Sequence, residues 1–240
     1  IIAFTFTDKA AAELKERVVT RTREALGEVP GMAEMFVGTI PAFCLELLKS
    51  EVPQYLKYEV LNEVQQSLFV DRHSKASGLT QSATLAGQPL RRYIDTRHFI
   101  GAMNILREDD PIAPDLLAGN SVNSQRPTYE QLLHQRGYLD YSGILKEAVA
   151  ELKSNTDLRQ RLAERIREVI VDEYQDVNPV QENVVAELHN LGAGVCVVGD
   201  DDQTIYQWRG SDVRNILSFE DRYPEVTQVR LEENFRSSEG

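Results

Sequence analysis

The chain has 240 residues, 42% of them hydrophobic and 27% charged, which is enough for one large domain or for a core domain carrying a smaller insert. No apolar run approaches the roughly 20 residues of a membrane-spanning helix, and a net charge of -12 argues against a protein that coats nucleic acid through bulk electrostatics. A local track of aromatic rings and a few cations remains compatible with that charge.

The chain opens on Ile1-Ile2-Ala3-Phe4-Thr5-Phe6, which reads as a buried strand. It has neither the basic flank nor the cleavage site of a signal peptide, and without an initiator Met the chain is expected to lie inside a longer protein. Ala11, Leu14, Val18 and Ala25 then keep near-helical spacing. Phe36-Val37 forms a second apolar run ending at Gly38-Thr39. Two cysteines, Cys44 and Cys196, show no metal-ligand spacing and cannot build a disulfide framework, so they are expected to be buried thiols in a reducing cytoplasm.

From Tyr55 to Pro127 the sequence is polar and mostly helical, with loop-like stretches at Ser77 to Pro89 and Glu108 to Ser124. It reads as a helical insert in an α/β core, dividing the chain into 1–54, 55–127 and 128–240. Thr128 and Gln131 suggest a capping box for a helix through Leu133, and Tyr141, Ile144, Leu145, Ala148, Val149 and Leu152 a further helix. Three more apolar runs follow: Val169 to Val171 ending at Asp172-Glu173, Val195 to Val198 ending at Gly199-Asp200, and Val226 to Leu231 leading into Glu232-Glu233-Asn234. Short apolar strands alternating with helices predict a mainly parallel sheet covered on both faces, with ligands beyond the carboxyl ends of the strands.

Those ends carry the chemistry. In Val169-Ile170-Val171-Asp172-Glu173-Tyr174-Gln175-Asp176 a buried strand delivers two adjacent carboxylates. Phosphoryl transfer needs one carboxylate for hydrated Mg2+ and another group for the attacking water, roles suited to Asp172 and Glu173. The competing reading is an acidic pair that merely caps a strand. In Gly199-Asp200-Asp201-Asp202-Gln203-Thr204-Ile205-Tyr206-Gln207-Trp208-Arg209-Gly210, the neutral amide of Gln203 suits a sensor of a terminal phosphate. The alternation of Tyr206, Trp208 and Arg209 suits base stacking with a backbone contact. Trp208, the single Trp, has a core role as its competing reading, against which the polar neighbours Gln207 and Arg209 count.

Together these two segments resemble motifs II and III of the UvrD/Rep/PcrA-like superfamily 1A DNA helicases. Other segments follow in the family's order. Phe4-Thr5-Phe6-Thr7-Asp8-Lys9-Ala10-Ala11 resembles motif Ia and Gly38-Thr39-Ile40-Pro41-Ala42-Phe43-Cys44 resembles motif Ib. Leu139-Asp140-Tyr141 resembles the short motif before the strand of motif II, and Leu231-Glu232-Glu233-Asn234-Phe235-Arg236-Ser237-Ser238 resembles motif IV.

The resemblance implies a RecA-like P-loop NTPase sheet with helices on both faces and an inserted helical 1B subdomain. It implies ATP and Mg2+ as cofactors, single-stranded DNA and single-strand/duplex junctions as partners, and possible protein partners on the insert. It also implies 3′-to-5′ movement in DNA repair or replication in the cytoplasm. By the same resemblance Asp172 is the magnesium ligand, Glu173 the catalytic base and Gln203 the γ-phosphate sensor. Arg236 resembles the arginine finger, an assignment that suits charge developing on the transferring phosphoryl group, and Phe235 the ring that stacks on adenine. Phe6, Tyr206 and Trp208 resemble residues stacking on bases, and Thr39 and Arg209 residues touching DNA. Phe6 has an inward-facing strand residue as its alternative.

The sequence also departs from the family. No Gly-x-x-x-x-Gly-Lys-[Ser/Thr] occurs, so the loop that cradles phosphates is missing, and the second RecA-like domain is expected beyond residue 240. The fragment alone is therefore expected to be inactive. Ile40-Pro41-Ala42 stands where the family commonly has an aromatic, a His and a Ser, and Pro41 removes a backbone donor, which predicts an altered DNA grip. The alternatives are a translocase or helicase–nuclease subunit, and a noncatalytic partner-binding module. A P-loop kinase or switch leaves Tyr206 to Trp208 unexplained.

Overall fold

The computed structural model describes residues 1–27, 29, 31, 34–108, 120–200, 214–223 and 226–231. Four short strands form a parallel sheet in the order β2-β1-β5-β6: β1 (Ile2–Phe4), β2 (Phe36–Gly38), β5 (Glu168–Val171) and β6 (Gly194–Val197). Phe4 stands beside Gly38 on one side and Val171 on the other, and Val171 beside Val197. The strand ends named by the sequence are thereby level with one another. Parallel strands need long crossovers, and helices supply them.

One face carries the main core. Here α2 (Ile40–Glu51), α6 (Tyr141–Ser154), α7 (Thr156–Arg165) and α8 (Pro179–Asn190) share one core with Ile2, Phe4, Val169 and Val171. Phe4, Phe36 and Phe43 form an edge-to-face trio at 5.3 to 6.2 Å, the geometry favoured by ring quadrupoles. On the other face α1 (Asp8–Leu26) packs against β2. Ala11 is its one buried residue, Leu14 and Val18 are half-buried and Ala25 is exposed. Along β5 the burial alternates: Val169 and Val171 point inward, while Glu168 and Ile170 are exposed. The run Val169 to Val171 is thus a half-buried strand rather than one covered on both faces.

The polar region and the residues that follow it as far as Leu139 build a second, smaller core from Leu61, Phe69, Val70, Leu79, Phe99, Met103, Tyr129 and their neighbours. It is carried by β3 (Glu59–Val60), α3 (Glu63–Arg72), α4 (Thr96–Arg107), α5 (Ser121–Arg136) and β4 (Tyr138–Leu139), with β3 and β4 paired in parallel. The capping box expected at Thr128 is corrected here. The helix begins seven residues earlier, Asn120 caps it by accepting from the Val122 amide, and Pro127 lies inside it. Pro removes an intrahelical donor, yet burial of Tyr129, Leu132 and Leu133 on the inner face holds the helix through it, tertiary packing overriding propensity. The strand expected at Val226 to Leu231 is not formed. These residues are exposed and in no ladder, and apolar alternation makes no strand unless a neighbour takes its backbone hydrogen bonds.

The two cores meet at a buried charge cluster. Asp140 is wholly buried. Its Oδ2 accepts from Arg107 Nη1 at 2.6 Å, Tyr129 Oη at 2.8 Å and Gln66 Nε2 at 2.9 Å, while its Oδ1 caps α6 at the Gly143 amide, 2.8 Å. Arg107 also lies 3.4 Å from Glu130. Burial alone raises the Asp140 pKa, but Arg107 and the surrounding donors outweigh it and hold the carboxyl below its ordinary range. For Arg107, burial works against the charge and Asp140 more than restores it. Next along the chain, Glu108 accepts from Ser142 Oγ and from Asn178 Nδ2, at 3.0 Å.

Candidate phosphoryl-transfer site at the strand tips

At the carboxyl ends of the strands the backbone ladder runs on into the loops. The Asp172 amide donates to Phe4 O at 3.0 Å, and the Thr5 amide to Gly38 O at 3.0 Å. The Val198 amide donates to Val171 O at 2.8 Å and the Tyr174 amide to Val198 O at 2.9 Å. This continuation sets four segments side by side: Thr5-Phe6-Thr7, Gly38-Thr39, Asp172-Glu173 and Val198-Gly199-Asp200.

Asp172 and Glu173 are both exposed at the tip of β5. Glu173 has φ 53° and ψ 44°, the left-handed region, where a non-glycine residue is uncommon and is held only by its surroundings. The surroundings are visible. Its amide donates to Asp172 Oδ1 at 3.1 Å, its carbonyl accepts from the Asp176 amide at 2.9 Å, and its Oε2 accepts from Gln175 Nε2 at 2.6 Å. A turn of 3-10 helix over Tyr174–Asp176 follows, and α8 starts at once, with Asn178 and Gln181 as a complete capping box and Pro179 in the first turn. The backbone therefore reverses within a few residues and leaves the two carboxylates projecting beyond the sheet.

Asp172 presents a hard, exposed oxygen donor, which fits hydrated Mg2+, a cation that keeps several waters and takes one or two carboxylates. Among the described residues no group of three or more His, Cys, Asp or Glu is placed to hold a metal without other ligands. Asp176 sits behind the pair. Burial raises its pKa first and the Glu173 charge second, and its buried Oδ1 has no hydrogen-bond partner.

Thr39 caps α2 by accepting from the Ala42 amide at 3.3 Å. Pro41 occupies the first turn of that helix, where amides have no intrahelical acceptor. The donor it lacks is one the helix does not use. Thr7 likewise caps α1, at 3.1 Å to the Ala10 amide, and Phe6 is half-buried between these ends. Gln203, Tyr206, Trp208, Arg209, Phe235 and Arg236 lie outside the described residues.

Several residues at the site had no role assigned from sequence. Gln175, 1% exposed, bonds both Glu173 and, through Oε1, the Asp200 amide at 3.1 Å. Glu182 of α8 accepts from Tyr174 Oη and, at 2.8 Å, from Tyr223 Oη. Burial raises its pKa against these donors and nearby Arg222. Arg222 bonds Asn215, and Asn215 Nδ2 donates to Val177 O at 2.8 Å. The helices after the second motif, α9 (Arg214–Leu217) and α10 (Phe219–Arg222), are thereby tied to the turn after Glu173. The one available signal was polar residues spaced along motif II and its following helix, which periodicity alone does not single out.

Comparison with known proteins bears on this arrangement. The chain is 29% identical to the ATP-dependent DNA helicase PcrA of Bacillus subtilis, over 99% of the chain and 31% of that protein. It is 33% identical to the ATP-dependent DNA helicase UvrD1 of Mycobacterium tuberculosis, over the whole chain and 32% of the relative. With UvrD1 of Mycobacterium leprae the figures are 30%, the whole chain and 32%. The chain thus spans about a third of the length of these relatives. Residues 1–224 match the family described as the UvrD/REP helicase N-terminal domain, and the parallel sheet with helices on both sides is consistent with that match: the chain belongs to this family.

Proposed function

We propose that this chain is the nucleotide-binding and DNA-contacting part of an ATP-dependent DNA helicase, working in a longer protein that hydrolyses ATP to move 3′-to-5′ on single-stranded DNA and open duplex at junctions. The observation that carries the reading is the Asp172-Glu173 pair, projected from a strand tip with Glu173 in a left-handed conformation. In that reading Asp172 holds Mg2+ through water and Glu173 takes the proton of the attacking water. Bound Mg2+ supplies charge stabilisation on the phosphate oxygens.

By family resemblance, Gln203 senses the γ-phosphate, Arg236 stabilises the transferring phosphoryl group and Phe235 stacks on adenine. Phe6, Tyr206 and Trp208 stack on bases, while Thr39 and Arg209 contact DNA. The division into 1–54, 55–127 and 128–240 makes the middle segment the 1B insert, available to protein partners. The phosphate cradle comes from outside this sequence, and the fragment alone is inactive. The pathway is DNA repair or replication in the cytoplasm.

The test is ATP hydrolysis by the full-length protein containing this chain, with and without single-stranded DNA. The expected outcome is strong stimulation by DNA that disappears in Glu173→Gln. Hydrolysis indifferent to DNA would remove the aromatic track from the reading. A wild type without hydrolysis would make this a noncatalytic partner-binding module.

A further inference from the structure

We infer that Gln175 is a positioning residue that couples the Glu173 carboxylate to the Gly199–Asp200 turn, so that displacement of that turn re-aims the catalytic base. The inference rests on the reading of Glu173 as base. Three observations carry it.

The first is the pair of bonds that Gln175 makes. Nε2 donates to Glu173 Oε2 at 2.6 Å and Oε1 accepts from the Asp200 amide at 3.1 Å. A carboxylate only accepts and an amide N–H only donates, so the side chain between them must do both, with its nitrogen toward Glu173 and its oxygen toward Asp200. A carboxylate at position 175 has no proton for Glu173, an ammonium has no acceptor for Asp200, and Asn is one methylene shorter.

The second observation is continuity with the sheet. The β5–β6 ladder runs through Val198 to Val171 and Tyr174 to Val198, and the bond from Asp200 to Gln175 is the next rung, made by a side-chain amide in place of a peptide group. Gln175, which supplies the rung, is itself 1% exposed. The third observation is close fit. A Cβ on Gly199 would stand 2.7 Å from Gln175 Oε1 and 2.7 Å from Ile216 Cδ1, so the turn lies against the amide with no room for a side chain. Contact this close transmits displacement instead of absorbing it.

Asp200 leads directly into the segment holding Gln203, Tyr206, Trp208 and Arg209. A pull on the 199–200 turn therefore moves Oε1, and through the rigid amide plane it moves the donor on Glu173. The site has reason to need such a donor. The Asp176 carboxyl, itself raised by burial and by the Glu173 charge, crowds the base with a second acid, and the amide adds no charge of its own.

The experiment is steady-state ATP hydrolysis by the full-length protein, with and without a single-stranded oligonucleotide. It compares wild type, Glu173→Gln, Gln175→Met and Gly199→Ala, with a thermal melt of each. Met keeps the volume at position 175 and removes both bonds, and Ala at 199 displaces the amide without touching its chemistry. Both variants are expected to lower the DNA-stimulated kcat by about 10- to 100-fold, the usual loss when a supporting partner of a reacting group is removed. The KM for ATP should stay within about twofold, the signature of an interaction made in the transition state, and the stimulation ratio should collapse toward one. An unchanged kcat in both variants overturns the inference. So does a lower melting temperature with the stimulation ratio intact, which marks a purely structural role. A Glu173→Gln variant that hydrolyses ATP like the wild type, or a wild type without any hydrolysis, overturns the reading of Glu173 as base as well, which separates the two failures.

Discussion

Two clusters of charge, one at the strand tip and one at the junction of the two cores, use the same residue types for opposite ends. Asp140 is wholly buried and accepts four hydrogen bonds from protein donors, with Arg107 beside it. Asp172 and Glu173 are exposed, and Glu173 is held in a backbone conformation that a non-glycine residue rarely adopts. The difference is one of commitment. At the junction every oxygen of Asp140 is engaged by the protein itself, which rigidifies the joint. At the tip the backbone spends conformational strain to push carboxylates away from the protein, where metal and water can meet them.

The largest effects should separate the regions cleanly. Glu173→Gln is expected to reduce hydrolysis by about 10²- to 10⁴-fold, the range of a positioned general base. Its thermal midpoint should stay near wild type, because exposed substitutions alter stability by about 0.5 kcal/mol or less. Asp140→Ala should do the reverse. It strands a buried Arg107 and is expected to destabilise by about 3 to 5 kcal/mol, measured by urea unfolding. An apolar pair, Arg107→Met with Asp140→Leu, should recover most of that loss. Failure to recover it would show that the junction depends on the ion pair itself rather than on relief of an unpaired charge.

Acid should act on the junction next. The Asp140 pKa is held below its unfolded value, so its contribution is present above the unfolded carboxylate range of about 4. That contribution is lost as pH falls through the lower folded value. The urea midpoint of the wild type should drop more steeply below about pH 4 than that of the Arg107→Met, Asp140→Leu pair. The smallest effect belongs to Asn178, which joins the regions by capping α8 and bonding Glu108. Asn178→Ala is expected to destabilise by about 1 kcal/mol while kcat changes less than in Gln175→Met. An equal loss in kcat would mean that the junction speaks to the base through this cap.

Much of the site was legible because strand-end chemistry is local. Val169 to Asp176 announces a strand and its carboxylates in eight consecutive residues, and the parallel sheet brings Phe4, Gly38 and Val198 level with them. The long-range partners were not legible. Gln175 meets Asp200 across 25 residues, Arg107 meets Asp140 across 33 and Glu108 meets Asn178 across 70. Local pattern also misplaced two elements, as the Thr128 cap became mid-helix and Val226 to Leu231 formed no strand.

What the sequence by itself determined is the order of motifs, the alternation of short apolar strands with helices, and the identity of the paired carboxylates. Each of these is written in residues that are neighbours along the chain. The tertiary structure alone decided which charges are buried and matched, which are left to solvent, and that the neutral amide of Gln175 spans Glu173 and the next strand's turn. Hydrogen bonding and desolvation depend on distances through space, and those distances exist only once the sheet has set separate segments side by side.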